Sequence, residues 1–323
     1  MAELPTPYEG DFIAPKIGSP AAMRHFAEQA HAPNTLIAYE ADWNSFEQWC
    51  RGAGYQIADL DGSVAIASYL TGLAEQGYSV STIARRIAAL SKHFQLIRRE
   101  DPTKDPRVKL VWKGIRRKLG VAQEGKAPIL VEHLRLMLDT LSESPLGKRD
   151  RAILLLGFAG AFRRSELVSL DTEDVAFVQE GLTLMLRRSK TDQEGKGVKI
   201  GIPYGLREGT CPVRALREWL ALLEGCPGPL FRAIDRHGRV KNGRLSDRAI
   251  ALVIKRSAEA VGLDSRLYSG HSLRAGLATQ AAINQVSDRA IMQQTRHRSR
   301  AMLDRYVRDA SLFRDNAAGA VGL

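Results

Sequence analysis

The chain has 323 residues, with 47 Lys+Arg against 36 Asp+Glu and a formal net charge of +11. A 44% hydrophobic and 26% charged composition excludes global disorder, and no run of about 18 apolar residues is present to form a spanning helix. Three scattered cysteines (Cys50, Cys211, Cys226) exclude a disulfide framework and a zinc site, and suit a reducing, cytoplasmic setting.

Length alone suggests two domains. Residues 1–127 hold 16 Lys+Arg and 14 Asp+Glu, so +9 of the +11 lies beyond them. An excess of that size suits a polyanionic partner such as nucleic acid. Residues 1–20 are rich in Pro and Gly without periodicity and read as a flexible arm. Over residues 35–50, Leu36, Tyr39, Trp43, Phe46 and Trp49 recur at the spacing of one buried helix face, with Asn34 or Thr35 as cap. Further helices are expected over 62–75, 81–98 (with Arg85, Arg86 and Lys92 outside) and 106–119. Residues 21–120 therefore read as an all-helical bundle. Seven basic residues and one acid lie between Lys104 and Lys118, including Lys113, Arg116 and Arg117. That run is either a solvated face or a polyanion-binding one.

The polar stretch 121–128 reads as a linker, and 129–323 as a second, α+β domain. Helices are expected over 130–141 and 151–160. Two short strands, 182–186 and 198–202, flank a polar turn in a hairpin. Helices follow over 212–223, 246–261, 272–283, 288–294 and 301–308. The fold class is thus mainly α with a small β-hairpin or sheet.

Five pieces of this second domain carry chemistry: Arg163 with Glu166 where a helix starts, Lys190 in the hairpin turn, His271 with Arg274, His297, and Tyr306 nine residues later. Taken singly each has an ordinary structural explanation. Together, two arginines, a lysine, two histidines and a tyrosine suit attack on a phosphodiester. Guanidinium forks bind non-bridging oxygens bidentately, a tyrosine oxygen can be the nucleophile, and a lysine or histidine can move the proton. Clustered carboxylates, which a metal-dependent nuclease needs, are thin around these motifs.

In order and spacing, these motifs resemble the signature of the tyrosine recombinase (phage integrase) family: Arg-x-x-Glu, a hairpin lysine, His-x-x-Arg, a histidine, then tyrosine. Residues 34–49 and 81–90 resemble its core-binding domain, so the likeness spans about residues 30–310. Thr295-Arg296-His297 departs from it, since many members have Leu-Gly-His there. The resemblance implies an all-helical core-binding domain and a catalytic domain that clamp specific duplex DNA, with no metal or other cofactor. It implies that Arg163, Arg274 and His297 hold the scissile phosphate and Tyr306 attacks it, leaving a 3′-phosphotyrosine. Lys190 is then the general acid, His271 assists proton movement and Glu166 supports the site. DNA contacts are expected from Arg85, Arg86, Lys113, Arg116, Arg117 and Lys118. A Holliday junction, a homotetrameric synapse and possible accessory proteins are implied too, with residues 311–323 as a helix docking between protomers. The pattern is nearest the simple Cre- or Xer-like members. A type IB topoisomerase and a non-catalytic DNA-binding regulator are the rival classes.

Overall fold

The computed structural model describes residues 33–55, 62–97, 99–120, 125–187 and 197–311. The chain divides into two compact units, Met1–Glu124 and Gly125–Leu323. The expected docking segment lies outside the described residues beyond Ser311.

Among the described residues the first unit has four helices, α1 (Pro33–Gly52), α2 (Gly62–Glu75), α3 (Val80–Leu96) and α4 (Pro106–Leu119), with a 3₁₀ turn at Pro102–Lys104. The helix starts are chemically marked. Ser79 Oγ accepts the Thr82 amide before α3, and Asp105 accepts the Arg107 amide before α4, whose first residue is Pro106. Phe46, Ile66, Tyr69, Leu70, Ile83, Leu90, Phe94, Val108 and Ile115 meet in one core.

Arg86 departs from expectation. Periodicity places it outside α3, but it turns inward with a side chain only 12% exposed. It donates to Ser45 Oγ (2.9 Å) and the Tyr69 hydroxyl, and lies 3.7 Å from buried Asp42. Burial raises the Asp42 pKa against the opposing pull of Arg85 and Arg86, so this carboxylate requires its arginines.

The second unit contains α5 (Val131–Asp139), α6 (Pro145–Ala159), α7 (Arg164–Ser169), β1 (Val175–Val178), β2 (Gly181–Leu186), β3 (Val198–Pro203) and α8 (Pro212–Ala221). It continues through β4 (Arg232–Ile234), β5 (Val240–Arg244), α9 (Asp247–Ala260), α10 (Ser272–Ile283), α11 (Asp288–Thr295) and α12 (Arg300–Ser311). Strands β1-β2-β3 form an antiparallel sheet with Leu184 opposite Ile200, and β4–β5 a separate antiparallel pair. Helix α6 is buried from Ala152 to Phe158, as an apolar helix at the centre of a core must be. It starts six residues before its expected position because Ser144 caps it and Pro145 begins it. Helix α10 crosses the incoming chain closely: a Cβ at Gly276 would sit 1.9 Å from the Ile129 carbonyl oxygen. Ala278, Ile291 and Leu303 form a small third cluster with Tyr306 packed on it. A 12-residue helix is marginal alone in water, so this cluster is what holds α12.

Candidate active site

Helix α6 ends at the cap Gly160, and Ala161 takes φ = 46° to turn the chain sharply. The buried Phe162 follows, and extended Arg163 then caps α7. Glu166, in the first turn of α7, accepts the Arg163 amide at Oε2 (3.0 Å) and the Arg163 guanidinium at Oε1. Glu166 is 2% exposed. Burial pushes its pKa up, but the Arg163 amide and the Arg296 and Arg163 guanidiniums outweigh this and hold it below the ordinary value. The neighbouring Arg164 instead meets Asp247 at 3.0 Å.

His271 caps α10, and Arg274 lies one turn further along the helix. Arg274 is fully buried, and its Nη1 donates to the Ala161 carbonyl (2.9 Å). Its Nε and Nη2 are buried without a hydrogen-bond partner among the described residues. Burial, then Arg163 and Arg296, lower its pKa to about 10, so it remains cationic at neutral pH. A buried guanidinium with an unused bidentate edge is costly for the protein alone and fits an anion.

His297 follows α11. The Thr295 hydroxyl donates to the Ile291 carbonyl (2.7 Å), so its oxygen accepts from His297 Nδ1 (2.9 Å). The neutral ring then carries its lone pair on Nε2. Burial, then Arg274, Arg163, His271 and Arg296, push the His297 pKa down to about 4. The imidazole stacks on Tyr306, with centroids 5.8 Å apart and planes 18° apart. The Tyr306 hydroxyl lies 2.9 Å from His271 Nε2. The nine-residue step from His297 to Tyr306 thus covers one turn and two turns of α12, which returns the tyrosine to the histidine.

Five of the six expected site residues, with Glu166, converge here; Lys190 lies outside the described residues. Sequence reasoning does not identify Thr295, whose role depends on which acceptor its hydroxyl finds. Among the described residues no group of three His, Cys, Asp or Glu side chains can hold a metal ion. No helix among them is long and apolar enough to cross a membrane. In the first unit, Lys113, Arg116, Arg117 and Lys118 are exposed along α4. Arg85 is 43% exposed and bonds Asp42 at 2.6 Å.

Residues 129–312 match the model of the phage integrase family, and 24–101 that of the phage integrase N-terminal SAM-like domain. The chain is 42% identical over 295 residues to an integrase/recombinase xerD homolog of Selenomonas ruminantium, covering 90% of this chain and 86% of that protein. Its fold is similar to the XerH site-specific recombinase bound to palindromic difH substrate (TM-score 0.63, 19% identity, 87% and 76% of the two chains). It is similar also to a lambda integrase tetramer bound to a Holliday junction (TM-score 0.61, 18% identity, 89% and 75% covered).

Proposed function

The chain belongs to the phage integrase family, the tyrosine recombinases that break and rejoin DNA, and from that premise we propose which of its residues carry out the reaction. One observation carries the assignment: the Tyr306 hydroxyl bonds His271 Nε2 beside Arg274, whose Nε–Nη2 edge is buried and without a partner among the described residues. A scissile phosphate seated on that edge and on Arg163 presents phosphorus to the tyrosine oxygen. The phenol transfers its proton to His271 as the oxygen attacks, forming the P–O bond of a 3′-phosphotyrosine. The 5′-oxygen leaves and takes a proton from Lys190. The two guanidiniums neutralise the charge that concentrates on the non-bridging oxygens.

His297 is neutral before DNA arrives. Burial first, and then the cations around it, hold its pKa down; an anion between the arginines offsets the cations, which favours a proton on Nε2 and a hydrogen bond donated from there to the phosphate. The phosphotyrosine retains the bond energy, so rejoining to a second strand requires neither a metal ion nor a nucleotide. Exposed Lys113, Arg116, Arg117 and Lys118 are phosphate contacts of the helical unit, Arg85 adds one from α3, and the synapse is a homotetramer on specific duplex sites. Arg86, occupied within its own unit, is not a DNA contact.

The test uses a duplex selected for binding from a random library and placed twice on a supercoiled plasmid. Strand exchange between the two sites in EDTA is the expected result. An absolute requirement for added magnesium, or relaxation of a plasmid lacking paired sites without exchange, would contradict the proposal.

A further inference from the structure

Arg296 adopts φ = 56°, ψ = 39°, a left-handed conformation that is strained for a residue with a Cβ. Its side chain is 9% exposed and runs back into the site. Nη1 donates to the carbonyls of Gly160 (2.9 Å) and Gln294 (2.8 Å). Nη2 donates to the Ala161 carbonyl (3.0 Å) and to Glu166 Oε2 (3.1 Å), and the guanidinium lies 5.2 Å from the Phe162 ring centroid. Gln294 Nε2 takes the Ala159 carbonyl (2.8 Å), and Arg274 Nη1 shares that of Ala161. Three successive carbonyls at the end of α6 are therefore satisfied by side chains of α10, α11 and the turn after α11. Two of these are cations, placed where the helix dipole is negative.

The left-handed backbone has a structural consequence. It ends α11 at Thr295, reverses the chain and sets His297 against Tyr306, while the same residue's guanidinium grips the turn that presents Arg163. Glu166 is divided between two arginines, so it does not neutralise Arg163 alone. A lysine here would offer one point charge instead of a planar fork reaching four acceptors.

We propose that Arg296 is a positioning residue of the phosphate site, fixing Glu166 and the Gly160–Ala161 carbonyls so that Arg163, Arg274 and His297 are held at one spacing. The inference rests on the recombinase reading above. It is tested with Arg296→Met, Arg296→Gly and Arg296→Lys on nicked duplexes carrying either the ordinary scissile phosphate or a neutral methylphosphonate. Single-site binding should stay within about threefold of the unsubstituted protein, since the groove and backbone contacts away from the scissile phosphate are unaltered. Adduct formation on the phosphodiester should fall at least about tenfold for Met and Gly and less for Lys, the scale of a mispositioned charge-stabilising donor. On the methylphosphonate, which lacks the charge Arg163 must neutralise, the defect should shrink at least about threefold.

Adduct rates within twofold of the unsubstituted protein, or equal defects on both substrates, would overturn the proposal. So would unfolding of all three variants, because Gly relieves the strained backbone and Lys keeps the charge. If the unsubstituted chain forms no adduct on either substrate, the recombinase reading fails and takes this inference with it. That outcome is distinct from the others.

Discussion

The depressed pKa of His297 ties stability to pH in a calculable way. In the unfolded chain its imidazole titrates near 6.5, and in the folded protein near 4. Above pH 6.5 the ring is neutral in both states and the folded state has its full stability. As pH falls below 6.5 the unfolded chain takes up the proton first, so stability is lost until the folded group itself titrates near pH 4. At 1.36 kcal/mol per pH unit the gap corresponds to about 3 kcal/mol, the most that this one buried ring contributes. Replacing His297 by Gln removes this contribution and leaves all others in place. Urea denaturation of both proteins between pH 7.5 and 4 should give a difference in stability that moves against the unsubstituted protein by up to that amount. The imidazole Cε1–H resonance, absent from the variant, reports the midpoint directly. A midpoint at or above pH 6, or parallel stability profiles, would show that burial and the surrounding cations do not depress the His297 pKa.

Arg274→Ala should slow covalent adduct formation by about a hundredfold or more, with Arg274→Lys recovering little because an ammonium cannot present two parallel donors; single-turnover cleavage assays measure both. Leu303→Ala opens a cavity where α12 docks and should cost about 2–4 kcal/mol locally, read as faster amide exchange along α12 and slower cleavage at unchanged single-site affinity. Neutralising Arg116, Arg117 and Lys118 together should reduce the salt slope of DNA binding by up to about 3, one unit for each phosphate left without its cation, in affinity measurements from low to moderate salt. An unchanged slope would return that face of α4 to an ordinary solvated one.

What can be read from the sequence follows from where local chemistry decides structure. Helices α2, α4 and α10 lie at the residues expected from periodicity, and Pro106 sets the start of α4. The strands β4 and β5 escape such a reading, because Val240–Arg244 is mostly exposed and shows no apolar alternation. Arg86 is misplaced by periodicity for a different reason. The helical pattern assigns it to the polar face, but Asp42 is buried on α1 and draws the guanidinium inward, an interaction 44 residues apart. In the site, Arg163, His271, Arg274, His297 and Tyr306 can be found because their residue types and order are diagnostic. The supporting contacts cannot. Nothing local says that Arg296 is left-handed, or that its fork reaches carbonyls about 135 residues earlier in the chain. Thr295 likewise acquires a role only when its hydroxyl commits to the Ile291 carbonyl.

Trapping the chain on a nicked suicide duplex and identifying the modified residue by peptide mass spectrometry tests directly whether Tyr306 is the nucleophile. A single covalent adduct joining Tyr306 to a 3′-phosphate is expected, with a free 5′-hydroxyl on the released strand, and none from Tyr306→Phe although it binds the duplex equally well. An adduct at another residue such as Tyr268, a 5′-phosphate linkage, or cleavage by the Tyr306→Phe protein would contradict it.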